Sequence, residues 1–362
     1  MRILTRYISK LFIGNLVLGI LIFTFVLMLD HLFELVDLLV NKGAGLGLTL
    51  RLLALLLPSS LSLTLPMSTL LAALLTFGSL SETNEITALR ASGLSFGTIL
   101  RAPLGIALGC TLFLIPFNSA WAPHAHAHFR KLYFNVLQRN PLIRIEEKTF
   151  FEMGDYHLYA ETKNPKTSLL REVTIYNTPI VGAPLRIFAQ KGQASVDLSH
   201  GITLDLQDGH IEQIDTSHPD QWYYTSFKTY VLLIPFQTEK SLTSRALQEM
   251  DNEELGRQIR DLREKRLPYP LFSCERHLRW ALAMTPLLFV GLGIPLAIRV
   301  QRGGRSIGFG ISLAVILIYY ILIMGGLGLG QRGVWPAALA VWLGNGILLT
   351  AALFLNRRLL KQ

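Results

Sequence analysis

The sequence is poor in charge and in cysteine. Only 16% of its 362 residues are charged, whereas a soluble domain carries about a quarter. Hydrophobic residues make up 51% of the chain and lie in long runs, which excludes a single soluble globule, a disordered chain and a collagen-like chain. The only two cysteines, Cys110 and Cys274, lie in or beside such runs. A disulfide framework is therefore not expected.

Sequence motifs of several enzyme classes are also missing. No G-x-x-x-x-G-K-[ST] stretch occurs, so we do not expect this chain to bind ATP through a P-loop. The patterns H-E-x-x-H, G-x-S-x-G and paired cysteines at zinc spacing are absent as well. We therefore predict no catalytic residues, no metal site and no cofactor bound by the chain itself.

Six charge-free apolar runs are long enough to cross a membrane. An α-helix needs about 20 apolar residues to span roughly 30 Å of hydrocarbon. The predicted spans are Leu11–Leu29, Leu52–Leu80, Ala102–Trp121, Ala281–Ile298, Ile307–Leu329 and Val334–Leu355. The first run is longer than the apolar core of a signal peptide and no small-residue cleavage site follows it, so we interpret it as a retained span.

The distribution of charge predicts an orientation. The formal net charge is +9, but residues 125–272 are nearly balanced, so the basic excess lies beside the apolar runs. This pattern is typical of membrane topology rather than nucleic-acid binding. Lysine and arginine concentrate at both chain ends and in the loops after spans two and four. The positive-inside rule then predicts cytoplasmic termini and places residues 125–272 outside, in the periplasm if the cell has one.

The outer stretch has the pattern of β structure. Short segments with alternating apolar and polar residues recur between turn signals. The predicted strands are His157–Glu161, Glu172–Tyr176, Leu185–Gln190, Ala194–Leu198, Ile202–Leu206 and Trp222–Leu233. Gly192 and Asp208-Gly209 are interpreted as breaks between strands. Six or more short strands in about a hundred residues predict a sandwich or jelly roll, followed by a charged helix at about 250–266.

The fold class that follows is a membrane protein of six transmembrane α-helices with an all-β jelly-roll domain inserted between helices 3 and 4. Its predicted parts are residues 1–123 with spans one to three, 124–272 with the outer domain, and 273–362 with spans four to six. The inner face of the β domain forms either a filled core or an apolar groove. The residues assigned to that face by alternation are Val173, Ile175, Phe188, Ile202, Leu204 and Leu206.

The loop between spans two and three, at about 82–93, predicts a short helix. Ser81 or Thr83 is placed to cap its first amides, Glu82 and Glu85 suit the positive end of its dipole, and Gly93 suits the position after its last turn. A short amphipathic helix with outward carboxylates is suited to dock into a cytoplasmic motor protein. An ordinary interfacial loop is the alternative.

Several segments in order resemble the lipopolysaccharide-export permeases LptF and LptG, the YjgP/YjgQ family, over nearly the whole chain. The segments that carry the resemblance are Arg6-Tyr7-Ile8, Leu65-Pro66-Met67, residues 81–95, Trp121-Ala122-Pro123 and Arg302-Gly303-Gly304-Arg305-Ser306. Residues 82–87 and Arg139-Asn140-Pro141 look more similar to LptF than to LptG. The ATPase-coupling residues that the resemblance implies are Glu82, Glu85, Arg90 and Gly93, with the coupling glutamate at Glu85.

The resemblance also implies a function and partners. It implies a non-catalytic inner-membrane permease that moves lipopolysaccharide and pairs with an LptG-like paralogue over a cytoplasmic LptB-like ABC ATPase dimer, which holds the ATP and magnesium. Further implied partners are a single-span LptC-like protein and a soluble LptA-like bridge protein. No nucleic-acid partner is expected, given the distribution of charge described above. The rival interpretation is a membrane-anchored β-domain scaffold without transport, and a polytopic enzyme is the weakest alternative.

Charged residues near the outer end of span one are candidates for the lipid cavity. Asp30, Glu34 and Asp37 recur at spacings of four and three, so a helix places them on one face. Members of the family often place basic groups there to meet lipid phosphates, so Lys42 and Arg51 are the better candidates for anion contact. The acidic trio either binds bridging cations, pairs with the partner permease or forms a solvated helix end.

Alternate histidines follow span three. His124, His126 and His128 share a face on a strand and so suit a metal, but on a helix only His124 and His128 do. Interfacial histidines without a ligand are the favoured interpretation.

Span five contains a stretch of small residues, namely Gly325, Gly326, Gly328 and Gly330. Small residues allow membrane helices to approach closely. Two interpretations are left: the stretch packs against a second permease, or it packs within this chain. The resemblance favours the first, with the glycines at the gate between two paired permeases.

Overall fold

The computed structural model describes residues 2–40, 45–139, 150–153, 156–164, 169–177, 185–197, 201–214, 222–234, 247–299 and 304–361. The chain forms two compact units. The first consists of Met1–Asp37, Gly47–Ala127 and Leu247–Gln362, and it is helical. The second consists of Leu38–Leu46 and His128–Ala246, and it contains the β-sheet.

The helices follow the apolar runs of the sequence. In chain order they are α1 (Arg2–Val40), α2 (Leu46–Glu82), α3 (Glu85–Ala91), α4 (Phe96–Pro116), a π-helical turn (Phe117–Trp121), α5 (Ala122–Arg139), α6 (Asn252–Glu264), α7 (Pro270–Arg299), α8 (Gly304–Gln331) and α9 (Ala337–Lys361). Within the described residues, six helical segments are long and apolar enough to cross a membrane. The prediction of six spans is confirmed.

The helices extend beyond the predicted spans. Helix α1 begins at Arg2, before the predicted start of span one at Leu11, and α7 begins at Pro270, before the predicted start of span four at Ala281. The prediction kept each span within a charge-free run, because charge is costly in hydrocarbon. Outside the hydrocarbon layer, however, charged and polar residues continue a helix at little cost.

A buried polar network joins the last three spans. The hydroxyls of Thr285 and Tyr319 lie 2.6 Å apart, and the Tyr319 hydroxyl donates to Asn345 Oδ1 at 2.8 Å. Asn345 Nδ2 in turn donates to the carbonyl of Ala281 at 3.0 Å. Side-chain hydrogen bonds between membrane helices fix their rotation, since few other partners are available in lipid. The network therefore locks α7, α8 and α9 into one bundle.

The second unit contains an antiparallel sheet. Its described strands are β1 (Phe151–Met153), β2 (Tyr156–Asn164), β3 (Leu169–Asn177), β4 (Leu185–Asp197), β5 (Gly201–Ile214) and β6 (Trp222–Ile234). They pair in sequential order as one sheet. The prediction of six spans with a β domain inserted between the third and the fourth span is confirmed.

Two predicted strand breaks lie within strands. Gly192 lies inside β4, where a Cβ atom would come within 3.1 Å of Leu206, so the glycine allows close packing in the sheet. Asp208 has a left-handed φ of 52° inside β5, and a side chain on Gly209 would collide with the carbonyl of Phe188. These residues shape long strands instead of ending short ones.

Candidate functional site

The short helix α3 begins later than predicted. Helix α2 continues through Glu82, and Thr83 and Asn84 form a turn in which Asn84 has a left-handed φ of 57°. Ser81 is buried in the last turn of α2, and Asn84 occupies the N-cap position of α3 without a side-chain capping hydrogen bond. The predicted cap by Ser81 or Thr83 is therefore wrong. Glu82 ends one helix and Glu85 begins the next.

The end of α3 agrees with the prediction. Gly93 has a left-handed φ of 83°, and its N–H donates to the carbonyl of Arg90 at 2.9 Å. The N–H of Leu94 donates to the carbonyl of Leu89 at 3.2 Å. These bonds satisfy carbonyls that the helix end leaves open, and the conformation favours glycine because it has no Cβ atom.

One side of α3 packs into the helical unit and the other faces outward. Ile86 is only 5% exposed and belongs to the apolar core that includes Leu80 and Phe96. The side chains of Glu82 and Arg90 are exposed. The helix is thus seated through its apolar side, with charged groups of both signs beside it on the surface.

The Glu85 carboxylate is held by two hydrogen bonds. The hydroxyl of Tyr7, on α1, donates to its Oε2 at 3.0 Å. The hydroxyl of Thr83 donates to its Oε1 at 2.9 Å. Glu85 is therefore fixed between the first span and the turn that precedes α3.

Four of the five predicted lipid-cavity residues lie on described helices, namely Asp30, Glu34 and Asp37 near the end of α1 and Arg51 near the start of α2. The backbone is helical at Asp30, Glu34 and Asp37, so their spacing places them on one helix face. Their side chains, and Lys42 as a whole, lie outside the described residues. Arg51 is exposed on α2.

Four of the predicted inner-face residues meet in the β domain. Val173, Ile175, Leu204 and Leu206 have no exposed surface and belong to one apolar cluster. Their face of the sheet is a filled core in this structure. An apolar ligand reaches these side chains only if the domain opens.

Phe188, another predicted inner-face residue, does not belong to this cluster. Phe188 pairs with Thr174 across the sheet, between the inward pairs of the two strands, so it points to the opposite face. There its ring lies 5.2 Å from the ring of His210. Assigning Phe188 to the inner face was wrong because its two neighbours, Ile187 and Ala189, are the buried residues of this part of β4, and adjacent residues of a strand point to opposite faces. The side chain of Ile202 lies outside the described residues.

Tyr159 on β2 has a perturbed acidity. Its hydroxyl donates to Glu161 at 2.8 Å, and this hydrogen bond is the main reason that the pKa of Tyr159 is raised. Partial desolvation and the negative charges of Glu161 and Glu172 raise the pKa further. The phenol acts as a hydrogen-bond donor at the sheet surface, and the carboxylate that it bonds to disfavours its loss of the proton.

The three histidines lie on a helix, α5, rather than on a strand. His124 and His128 therefore share a face, and His124 Nδ1 lies 2.6 Å from the carbonyl of Ala120. Within the described ranges, no group of three or more histidine, cysteine, aspartate or glutamate side chains is placed to hold a metal ion.

The glycines of α8 divide into two pairs. A Cβ atom on Gly326 would collide with the carbonyl of Ala340 on α9, and one on Gly330 would lie 2.7 Å from Cys274 Sγ and 3.1 Å from Ala340 Cβ. A Cβ atom on Gly325 or Gly328 would meet nothing within 4 Å. The first pair packs within this chain, and the second leaves a shallow surface on the same helix.

A buried arginine on α7 was not predicted from the sequence. Arg279 is 7% exposed and donates to the carbonyls of Leu247 at 2.9 Å and Met250 at 2.6 Å. It also donates to the Glu275 carboxylate at 3.1 Å. Arg279 therefore fastens the segment that enters the helical unit just before α6. The partners are mostly backbone atoms, so the sequence offers no pattern that reveals this role.

A cavity of about 240 Å³ lies beside Arg279, between α2, the π-helical turn and α7. Asn118 lines it, with Nδ2 donating to the Arg279 carbonyl at 3.5 Å, while Asn118 Oδ1 is buried and has no hydrogen-bond partner among the described residues. The cavity is large enough for ordered water to satisfy this atom.

The fold and these sites define a multi-pass membrane protein with a short helix seated between its second and third spans and an inserted β domain. The family model of the lipopolysaccharide export system permease LptF/LptG matches residues 6–358. The chain belongs to this family, whose members are inner-membrane transporter subunits for lipopolysaccharide export. The match does not distinguish LptF from LptG. A search of curated proteins gives no match.

Proposed function

We propose that this chain is the LptF-like permease of an ATP-driven lipopolysaccharide exporter whose motor docks at α3. A separate LptB-like ATPase dimer supplies ATP hydrolysis, and an LptG-like paralogue completes the membrane part. The observation that carries the proposal is the Glu85 carboxylate, which two hydrogen bonds hold at the start of a helix seated through Ile86. A rigid, charged helix of this kind can transmit a push from a soluble partner into the bundle.

The motor side of the membrane is proposed from charge. The end of the bundle that carries α3 also carries Arg6, Arg90, Arg101 and Arg299. Because basic residues in short loops remain in the cytoplasm, α3 and both termini face the cytoplasm and the β domain faces the periplasm.

The lipid path follows from this orientation. Closure of the ATPase dimer pushes α3 and narrows the cavity between the paired permeases. Lipid phosphates meet Lys42 and Arg51, and the carboxylates of Asp30, Glu34 and Asp37 bind bridging cations or the partner permease. Acyl chains then enter the β domain at the Val173, Ile175, Leu204 and Leu206 face once it opens, and pass to LptC-like and LptA-like proteins. Covering apolar surface stabilises such a complex by about 25 cal/mol per Å².

The docking proposal is tested with Glu85→Lys in the complex of both permeases and the ATPase. We expect co-purified ATPase to fall at least about tenfold, because the lysine cannot accept the hydrogen bonds from Tyr7 and Thr83 and reverses the charge at the docking position, and a docking loss of about 1.4 kcal/mol is already tenfold. The measurement is the molar ratio of ATPase to permease after detergent extraction.

A matched charge reversal provides the control. Glu253→Lys on α6 changes an exposed carboxylate paired only loosely with Arg257 at 3.5 Å, and it should leave the ATPase ratio unchanged. An ATPase that never co-purifies, even with the unaltered chain, would contradict the transport proposal and favour a membrane-anchored scaffold. Equal loss in both variants would contradict the place of docking.

A further inference from the structure

The hydrogen bond between Tyr7 and Glu85 connects the first span directly to the docking helix. The two residues are 78 positions apart, and their side chains meet at 3.0 Å. Tyr7 is followed on α1 by Ile8 and Phe12, which are 1% and 0% exposed and belong to the same apolar core as Ile86. The tyrosine hydroxyl is therefore held in place by a well-anchored part of α1.

Helix α1 is also attached to α2 at three points. Asn15 Nδ2 donates to Thr76 Oγ1 at 2.9 Å, and the Thr24 hydroxyl donates to Thr64 Oγ1 at 3.2 Å. Between these two contacts, Gly19 packs so closely on Ser68 that an added Cβ atom would lie 3.0 Å from Ser68 Cβ. Tyr7 extends this series of contacts to α3.

Part of the apolar surface of α1 is exposed. Its large apolar side chains there are 47% to 64% exposed and comprise Ile13, Val17, Leu21 and Phe25. A displacement of α3 that reaches α1 would therefore move a surface that nothing in the described part of this chain covers.

We propose that Tyr7 is a positioning residue that sets the direction of the Glu85 carboxylate and carries movement of α3 directly into α1. The inference rests on the proposed function, because it takes the motor to act on α3. Without the Tyr7 hydroxyl, the Thr83 hydroxyl alone orients the carboxylate, and α1 is coupled to α3 only through the shared apolar core and the α1–α2 contacts.

Tyr7→Phe isolates this role. It removes one hydroxyl and keeps the ring, and Tyr7 is 43% exposed, so water can hydrate the freed carboxylate oxygen. In the complete complex we expect normal assembly and ATP hydrolysis within about twofold of the unaltered complex, but roughly fivefold to tenfold less lipopolysaccharide released per ATP, the factor that corresponds to one typical intramolecular hydrogen bond.

A distance measurement separates transmission from simple stabilisation. Spin labels at Ile13→Cys on α1 and Ala91→Cys on α3 report whether the two helices move together when nucleotide binds. With Tyr7 present the distance should stay constant through the ATP cycle, and with Tyr7→Phe it should change. Thr83→Val, which removes the other hydrogen bond to Glu85 without touching α1, should leave the distance constant.

The outcomes distinguish this inference from the proposed function. If the unaltered complex binds no ATPase or releases no lipopolysaccharide, the proposed function fails. If it transports and Tyr7→Phe releases as much lipid per ATP with an unchanged helix distance, only the role of Tyr7 is wrong. If Tyr7→Phe loses the ATPase as Glu85→Lys does, Tyr7 contributes to docking and the transmission step is overturned.

Discussion

Two glycines on α8 that are two residues apart should differ in tolerance to alanine. A methyl group at Gly326 would collide with the Ala340 carbonyl, whereas one at Gly328 would meet nothing within 4 Å. We expect Gly326→Ala to lower the free energy of unfolding by about 1–3 kcal/mol, the usual cost of overpacking. Gly328→Ala should leave it unchanged or raise it slightly, because alanine favours a helix by up to about 1 kcal/mol.

Thermal unfolding of the purified chain in detergent measures both glycine variants. Gly325→Ala is the second control, since its surroundings are as open as those of Gly328. Equal loss of stability at Gly326 and Gly328 would mean that α8 and α9 do not pack as described. The residue spacing in the sequence identified the glycine-rich stretch but not its division, because all four small residues look alike without the neighbouring helix.

At the scale of elements, Arg279 should be essential for fastening the segment before α6. Arg279→Met leaves the carbonyls of Leu247 and Met250 and the carboxylate of Glu275 without their donor. We expect a loss of about 3 kcal/mol, since breaking a buried pair leaves an uncompensated charge. Arg279→Lys should restore little of the lost free energy of unfolding, because one ammonium group cannot reproduce the planar set of donors of a guanidinium.

The measurement for Arg279 is thermal unfolding together with protease cleavage near residues 247–252. Arg276→Met is the matched control, because Arg276 lies on the same helix and is exposed. Faster cleavage in Arg276→Met than in Arg279→Met would contradict the fastening role.

The elements differ in how far the sequence predicted them. The spans followed from long apolar runs, and Gly93 was placed at the end of α3 by the rule that left-handed positions favour glycine. Prediction from the sequence failed where the hydrogen-bond or packing partners of a residue are distant in the chain or are backbone atoms. Arg279 was left just outside the predicted fourth span because its bonds to Leu247 and Met250 have no pattern in the sequence. Strand β4 was divided at Gly192 because a glycine inside a strand resembles a break.

At the scale of the whole molecule, the β domain must open if acyl chains are to reach its apolar face. Leu204 has no exposed surface, whereas Val231, on the neighbouring strand β6, is 59% exposed. With Cys110 and Cys274 replaced by alanine, alkylation of Leu204→Cys in the resting complex should be at least about 100-fold slower than that of Val231→Cys, because reaction at a core position requires an opening that costs about 3 kcal/mol. Lipopolysaccharide with ATP should speed alkylation at Leu204 and leave Val231 unchanged. Because bound acyl chains would in turn shield Leu204, the increase should fall when the bridge protein that removes lipid is omitted. A Leu204 rate that stays low in a complex that is transporting lipid would show that the lipid bypasses this face, and the acyl path would then have to follow the outside of the sheet.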